Sequence, residues 1–177
     1  MADDDAIAWG TPTFGFRFLV EFEREPIDGR GDGTPGGPEQ LCAGAFAEIT
    51  GLEASMEVKA IKEGGQNYGV HQRGGQVNFA TVVLKRGMTS ARDLWLWWKL
   101  FAGATDPTAS EPVGGAYAHR LTVRIAMQDA AQRPLLKWRL DRAMPVKFKA
   151  GDFNARAADV AIEELHLVHE GLYMEPA

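Results

Sequence analysis

Hydrophobic positions recur along this chain with a period of two. Phe14, Phe16, Phe18, Val20 and Phe22 alternate with Gly15, Arg17, Leu19, Glu21 and Glu23, which predicts a long strand with one aromatic face. The same alternation predicts strands over Ala45–Thr50, Ser55–Lys62, Gln76–Lys85, Arg120–Asp129, Leu135–Leu140, Val146–Lys149 and Val160–His169. One segment follows a helical period instead. Thr89 or Ser90 caps it, Asp93 suits its first turn and Lys99 its last, and Gly103 stops it. Ala91, Leu94, Trp95, Trp98 and Phe101 form one stripe, expected to face the core. Leu96, Trp97 and Leu100 fall largely off that stripe. A helix apolar almost all round needs cover on more than one side. One small sheet covers one stripe, so these three residues are expected at a subunit contact.

The alternation lapses in two places. Arg24–Ala43 holds five glycines and three prolines, and Gly103–Ala118 is similarly rich in Gly, Pro and Ala. Both are expected as surface loops. The expected organisation is one domain over 14–173 with insertions at 24–43 and 103–118. A flexible acidic tail, 1–13, precedes it and a short tail, 174–177, follows. The pairs Gly64-Gly65 and Gly74-Gly75 bracket Gln66–Arg73 and are expected as bends in an extended hairpin arm.

Composition narrows the class. A chain of 177 residues is about one domain and is long enough for a proper core. With 45% hydrophobic and 24% charged residues it reads as globular. A net charge of −5 argues against a dedicated nucleic-acid binder. No apolar run approaches the ~20 residues of a membrane helix, so no membrane insertion is expected. The start, Met1-Ala2-Asp3-Asp4-Asp5, is acidic where a secretory leader is basic, and Cys42 is the single cysteine. Both point to a soluble protein made in the cytoplasm. The charge is also bipolar: residues 1–63 carry −8 and 133–149 carry +5. That suits copies meeting head to tail.

Local chemistry is sparse. His166 and His169, three apart on a strand, point to opposite faces and cannot chelate one metal together. Cys42 has no adjacent histidine, and Glu163 and Glu164 face opposite ways. The glycine pairs fit no dinucleotide or phosphate-loop spacing. No metal, cofactor or catalytic residue is expected.

Seven stretches in order carry a resemblance. They are Phe16–Phe22 (FRFLVEF), Gly44–Leu52 (GAFAEITGL), Glu57–Tyr68 (EVKAIKEGGQNY), Val82–Thr89 (VVLKRGMT) with Asp93–Trp97 (DLWLW), Trp138–Lys147 (WRLDRAMPVK), Asp152–Ala155 (DFNA) and Val160–Leu172 (VAIEELHLVHEGL). The chain resembles the tail-tube protein family of contractile phage tails and related contractile injection systems.

That resemblance implies a mainly β fold, an antiparallel β-sandwich or barrel with one flanking α-helix. It implies homohexameric rings that stack into a hollow tube, with sheath, baseplate and other tube proteins as partners and effectors or DNA passing through the lumen. The protein would end as part of an assembled particle. The matching hairpin, Glu57–Gln76, reaches neighbouring subunits in such proteins, which marks Glu63, Gly64, Gly65, Gln66, Asn67, Tyr68, His71 and Arg73 as interface candidates. The stretch Lys62–Asn67 followed by Val70-His71 looks more like a tube initiator, the first ring on the baseplate, and the 24–43 insertion also suggests a specialised ring. Two other classes remain open on the residues alone: a small-molecule-binding β-barrel, and an enzyme whose site assembles from distant positions.

Overall fold

The computed structural model describes residues 18–24, 46–65, 67–90, 92–102, 120–129, 131–152 and 160–176. Among these residues nine strands and one helix follow in the order β1 (Phe18–Arg24), β2 (Phe46–Thr50), β3 (Ala54–Ile61), β4 (His71–Phe79), β5 (Val82–Gly87), α1 (Asp93–Ala102), β6 (Leu121–Gln128), β7 (Pro134–Lys149), β8 (Ile162–Val168) and β9 (Gly171–Glu175). All pairings are antiparallel. The N-terminal tail, the insertions apart from Arg24 at the end of β1, and Cys42, His119 and Gln66 lie outside the described residues; of the C-terminal tail, 174–176 are described.

Two sheets share one strand. The first half of β7 lies between β6 and β9, with β1 beyond β6. Its second half pairs β8, followed by β5 and β2. Two features mark the crossing. Arg142 takes φ 53°, a left-handed angle that non-glycine residues seldom adopt. Pro145, lacking an N–H, sits at the register shift where the ladder is already interrupted. This is why Leu135–Leu140 and Val146–Lys149, expected as two strands, form one.

The inner faces follow the alternation. Val20, Phe22, Leu121, Val123, Ile125 and Leu140 come from the first sheet, and Phe46, Val82, Leu84, Leu165 and Leu167 from the second. Each fully buried side chain of this kind contributes roughly 1.5–3 kcal/mol relative to exposure. The strand expected over Gln76–Lys85 is broken at Ala80-Thr81 into the end of β4 and the start of β5, and β4 begins earlier, at His71, in a stretch rich in polar residues and glycine. β9 lies outside the expected strands and runs through Met174 and Glu175, assigned from the sequence to the tail 174–177.

Helix α1 closes the sandwich with Leu94 and Trp97, the latter edge-on to Phe22 with ring centroids 5.6 Å apart. Its first turn is tied down by Arg86, which is 1% exposed. That guanidinium bonds both Glu163 across the β5–β8 ladder and Asp93 of the helix. Burial works against its charge, but the hydrogen bonds and charges of Asp93 and Glu163 outweigh this and hold the Arg86 pKa above its ordinary value. The charge is therefore permanent inside the core.

Candidate assembly surfaces

The β3–β4 hairpin is a separate two-stranded sheet. A lone hairpin is marginally stable in water, so an arm of this kind needs cover. Its root is set by Gly51, whose φ is +86° and whose added Cβ would collide with the Thr81 carbonyl. Backbone bonds from Glu53 to Gly51 and from Ala80 to Glu53 complete the exit. The register makes the arm amphipathic: Ala54, Met56, Val58 and Ala60 share a face with Val77 and Phe79, and Ser55, Glu57 and Lys59 lie opposite with Arg73 and Asn78. Met56, Val58 and Val77 are exposed.

Glycine has a different role at each pair. Gly64-Gly65 forms the turn at the tip, with Gly65 at φ +92°. Gly74-Gly75 lies inside β4 beside the register shift at Met56/Val58, not at a bend. A Cβ on Gly74 would press on Met56 Sδ at 2.9 Å, and one on Gly75 on the Glu57 carbonyl at 3.0 Å. Both positions need the close approach that a bulge creates.

The candidate arm residues Glu63, Gly64, Gly65, Asn67, Tyr68, His71 and Arg73 are all exposed, and the structure brings them together along the outer part of the arm. His71 Nε2 lies 2.9 Å from Glu63 Oε2 across the hairpin end. Arg73 stands directly across from Lys59, a like-charge pair that costs stability, on the face that also carries Glu57.

The helix requires a correction. Trp97, expected at a subunit contact, is 3% exposed and belongs to the core. Trp95, expected in the core stripe, is exposed and stacks on Trp98 while its edge meets Phe148. Leu96 is 51% exposed and remains a candidate contact; Leu100 lies in α1. The physical reason is that Leu94 can pair with 97 and 101 or with 98 and 101 at helical spacing. In an all-apolar helix only the shape of the receiving sandwich decides. Phe22 and the inner sheet faces select Trp97.

The outer face of the first sheet is polar but internally neutralised. Arg124 pairs Glu23 and Glu175, and Arg139 pairs Glu175 and Asp141 while its guanidinium stacks on Tyr173, 4.8 Å from the ring centre. These partners come from four strands, which local sequence patterns do not reveal. Only the register of β9 brings Glu175 to them.

A small cleft opens at the root of the arm, about 220 Å³ including its mouth, lined by Arg120, Arg142, Met144, Val168, His169 and Glu170. Glu170 bonds both arginines. His169 also meets Phe79, the last residue of β4, with ring centroids 5.1 Å apart. Burial lowers the His169 pKa below the usual 6.5, and the Gly171 backbone and the Asp141 carboxylate pull the other way. Among the described residues no three His, Cys, Asp or Glu side chains gather as a metal site, and no helix is long and apolar enough to cross a membrane.

A sandwich filled by its own side chains, with a projecting amphipathic arm and an uncovered helix face, has the features of an assembly subunit rather than of a barrel around a ligand. The chain belongs to the T4-like virus tail tube protein gp19 family, whose family model matches residues 15–173. A chain in the 6-fold symmetrised baseplate of the anti-feeding prophage is similar at 26% identity and a TM-score of 0.69, covering 94% of this chain and 97% of that one. A chain of the PVC extracellular contractile injection system in its sheath–tube complex shares the fold at 19% identity and a TM-score of 0.63, with 97% and 95% covered. The tube-terminating cap of the anti-feeding prophage does so at 19% and 0.66, with both chains covered fully. No curated protein matches the chain in sequence.

Proposed function

We propose that this chain is a structural subunit of the inner tube of a contractile injection system or phage tail, closing into six-membered rings that stack into a conduit. The observation that carries the reading is the family match across residues 15–173. The projecting arm supports it: a two-stranded sheet with exposed Met56, Val58 and Val77 gains its cover from another subunit. Sheath and baseplate proteins are the expected partners, because similar chains occur in a sheath–tube complex and a baseplate. Cargo, whether effector or DNA, would pass through the lumen, and the finished protein would reside in the assembled particle. A structural family accounts for the chain without any enzymatic step.

Negative-stain electron microscopy of the purified protein tests this directly. Six-fold rings or short stacks are expected; particles that stay monomeric or dimeric at high concentration overturn it.

A tube-initiating ring is the second reading. The baseplate chain is 26% identical, against 19% for the sheath–tube chain. The insertion Arg24–Ala43 would then order against a baseplate partner. Replacing it with a short Gly-Ser turn should preserve rings and impair complete particles. Normal-length, functional particles from that variant remove the initiator reading.

A further inference from the structure

The solvent face of α1 is apolar between two cations. Leu94 and Trp97 point into the sandwich, which at about 3.6 residues per turn directs Arg92, Trp95, Leu96 and Lys99 the other way. Trp95 and Leu96 are exposed, and so is Arg92, whose carbonyl accepts the Leu96 N–H. Trp98 and Phe148 extend the aromatic surface beside Trp95. A contiguous apolar surface rimmed by charge marks a contact. Its occupant needs carboxylates for the cations and a large apolar group for Trp95 and Leu96.

One segment of this chain supplies both. Asp3-Asp4-Asp5 is the only run of three acids in the sequence, and Ile7 and Trp9 follow within four residues. Neither insertion combines them: 24–43 contains no aromatic residue, and the two acids of 103–118 stand five positions apart. The family model begins at residue 15, so the fold it describes assigns residues 3–9 no part. Length permits the contact within one chain. Phe22 of β1 meets Trp97 on the buried side of α1. Phe18 lies four residues earlier, about 14 Å along the strand, and a helix is about 10–12 Å across. The nine residues from Trp9 to Phe18 span up to about 30 Å, enough to pass round α1.

We propose that residues 3–9 seat on the solvent face of α1 in their own chain, with Trp9 against Trp95 and Leu96 and the aspartates against the cations that border them. The free subunit then carries its own cover over the helix. This goes beyond the tube reading and does not depend on it, because a single chain makes the contact.

Hydroxyl-radical footprinting of the dilute subunit, read by mass spectrometry, tests it. Deleting residues 2–13 should speed oxidation of Trp95 about fivefold, the factor for a face free a fifth of the time in the parent chain, and leave Tyr173 on the first sheet unchanged. Asp3→Asn, Asp4→Asn and Asp5→Asn together should give part of that gain. A Trp95 rate that stays at the parental value in either variant overturns the contact. In a Cys42→Ser background, Trp9→Cys with Leu96→Cys should oxidise to a disulfide-linked monomer, whereas Trp9→Cys with Tyr173→Cys should not. Linked dimers in place of monomers give the face to a second copy, and equal linking at 96 and 173 makes the segment an untethered tail; each overturns the proposal. None of these measurements involves rings, so the tube reading stands or falls by microscopy alone.

Discussion

Arg86 is the largest side chain fully buried among the described residues, and it is charged. Removing one partner of a buried ion pair leaves the other charge uncompensated and costs about 3–5 kcal/mol. Arg86→Met should therefore lower the melting temperature by about 10 °C at this chain length, read by calorimetry. Glu163→Gln should cost less, because Asp93 still holds the guanidinium. The helix gives a second pair of outcomes. Trp97→Ala should cost about 3–5 kcal/mol of stability as a large core truncation. Leu96→Asp, at an exposed position, should leave the subunit's melting unchanged and show its effect in assembly by native mass spectrometry. His169 carries a pH signature. Its folded pKa lies below the unfolded 6.5, so its contribution to stability is complete above that pH and declines as the pH falls below it. Arg120 and Arg142 line its cleft, with Glu170 between them, and Asp141 acts on it from β7. The melting temperature of the parent chain should fall more between pH 7 and pH 5 than that of His169→Gln. Equal slopes would assign the pH dependence to other groups.

The arm contributes none of the residues of the buried core. Replacing Val58–Gly74 with a two-residue turn should leave the melting temperature within a few degrees and the circular dichroism strand-like, while rings disappear in electron micrographs. Collapse of the fold would make the hairpin integral to the sandwich. The core strands were legible in the sequence because each buries one face, and burial writes a period of two. The outer part of the arm strand β4 was not: His71, Gln72, Arg73, Gly74 and Gly75 carry no alternation, and no burial imposes one there. β9 is too short to show a period, and its pairing depends on residues of β7 thirty or more positions away. The helix was legible as a helix and misread by face, because Trp95, Leu96, Trp97 and Trp98 offer no polar contrast. The arm candidates came from family likeness, and the structure gathers the described ones on one projection. The cleft at the arm's root draws on three separate segments and left no local motif.

At the scale of the molecule, β7 decides how the parts cohere. Its two halves belong to different sheets, so neither sheet can lose β7 without damaging the other. Thermal unfolding of the body should be one transition, with calorimetric and van't Hoff enthalpies in agreement. Hydrogen exchange should separate the arm from that unit: amides of β3 and β4 should exchange early in the isolated subunit, and those of β6, β7 and β8 only with global unfolding. Two resolved calorimetric transitions would refute the coupling. The shared strand also has a mechanical meaning. Pulling the sheets apart along the strand direction loads a continuous covalent backbone through Arg142, not a layer of side chains that can slide. Yielding requires shearing the ladders on β6 and β9 at one end of β7, or the ladder on β8 at the other, with many hydrogen bonds strained in parallel. Each such unit resists a pull along β7 through its own peptide bonds, and the piece most readily bent under load is the hairpin rooted at Gly51.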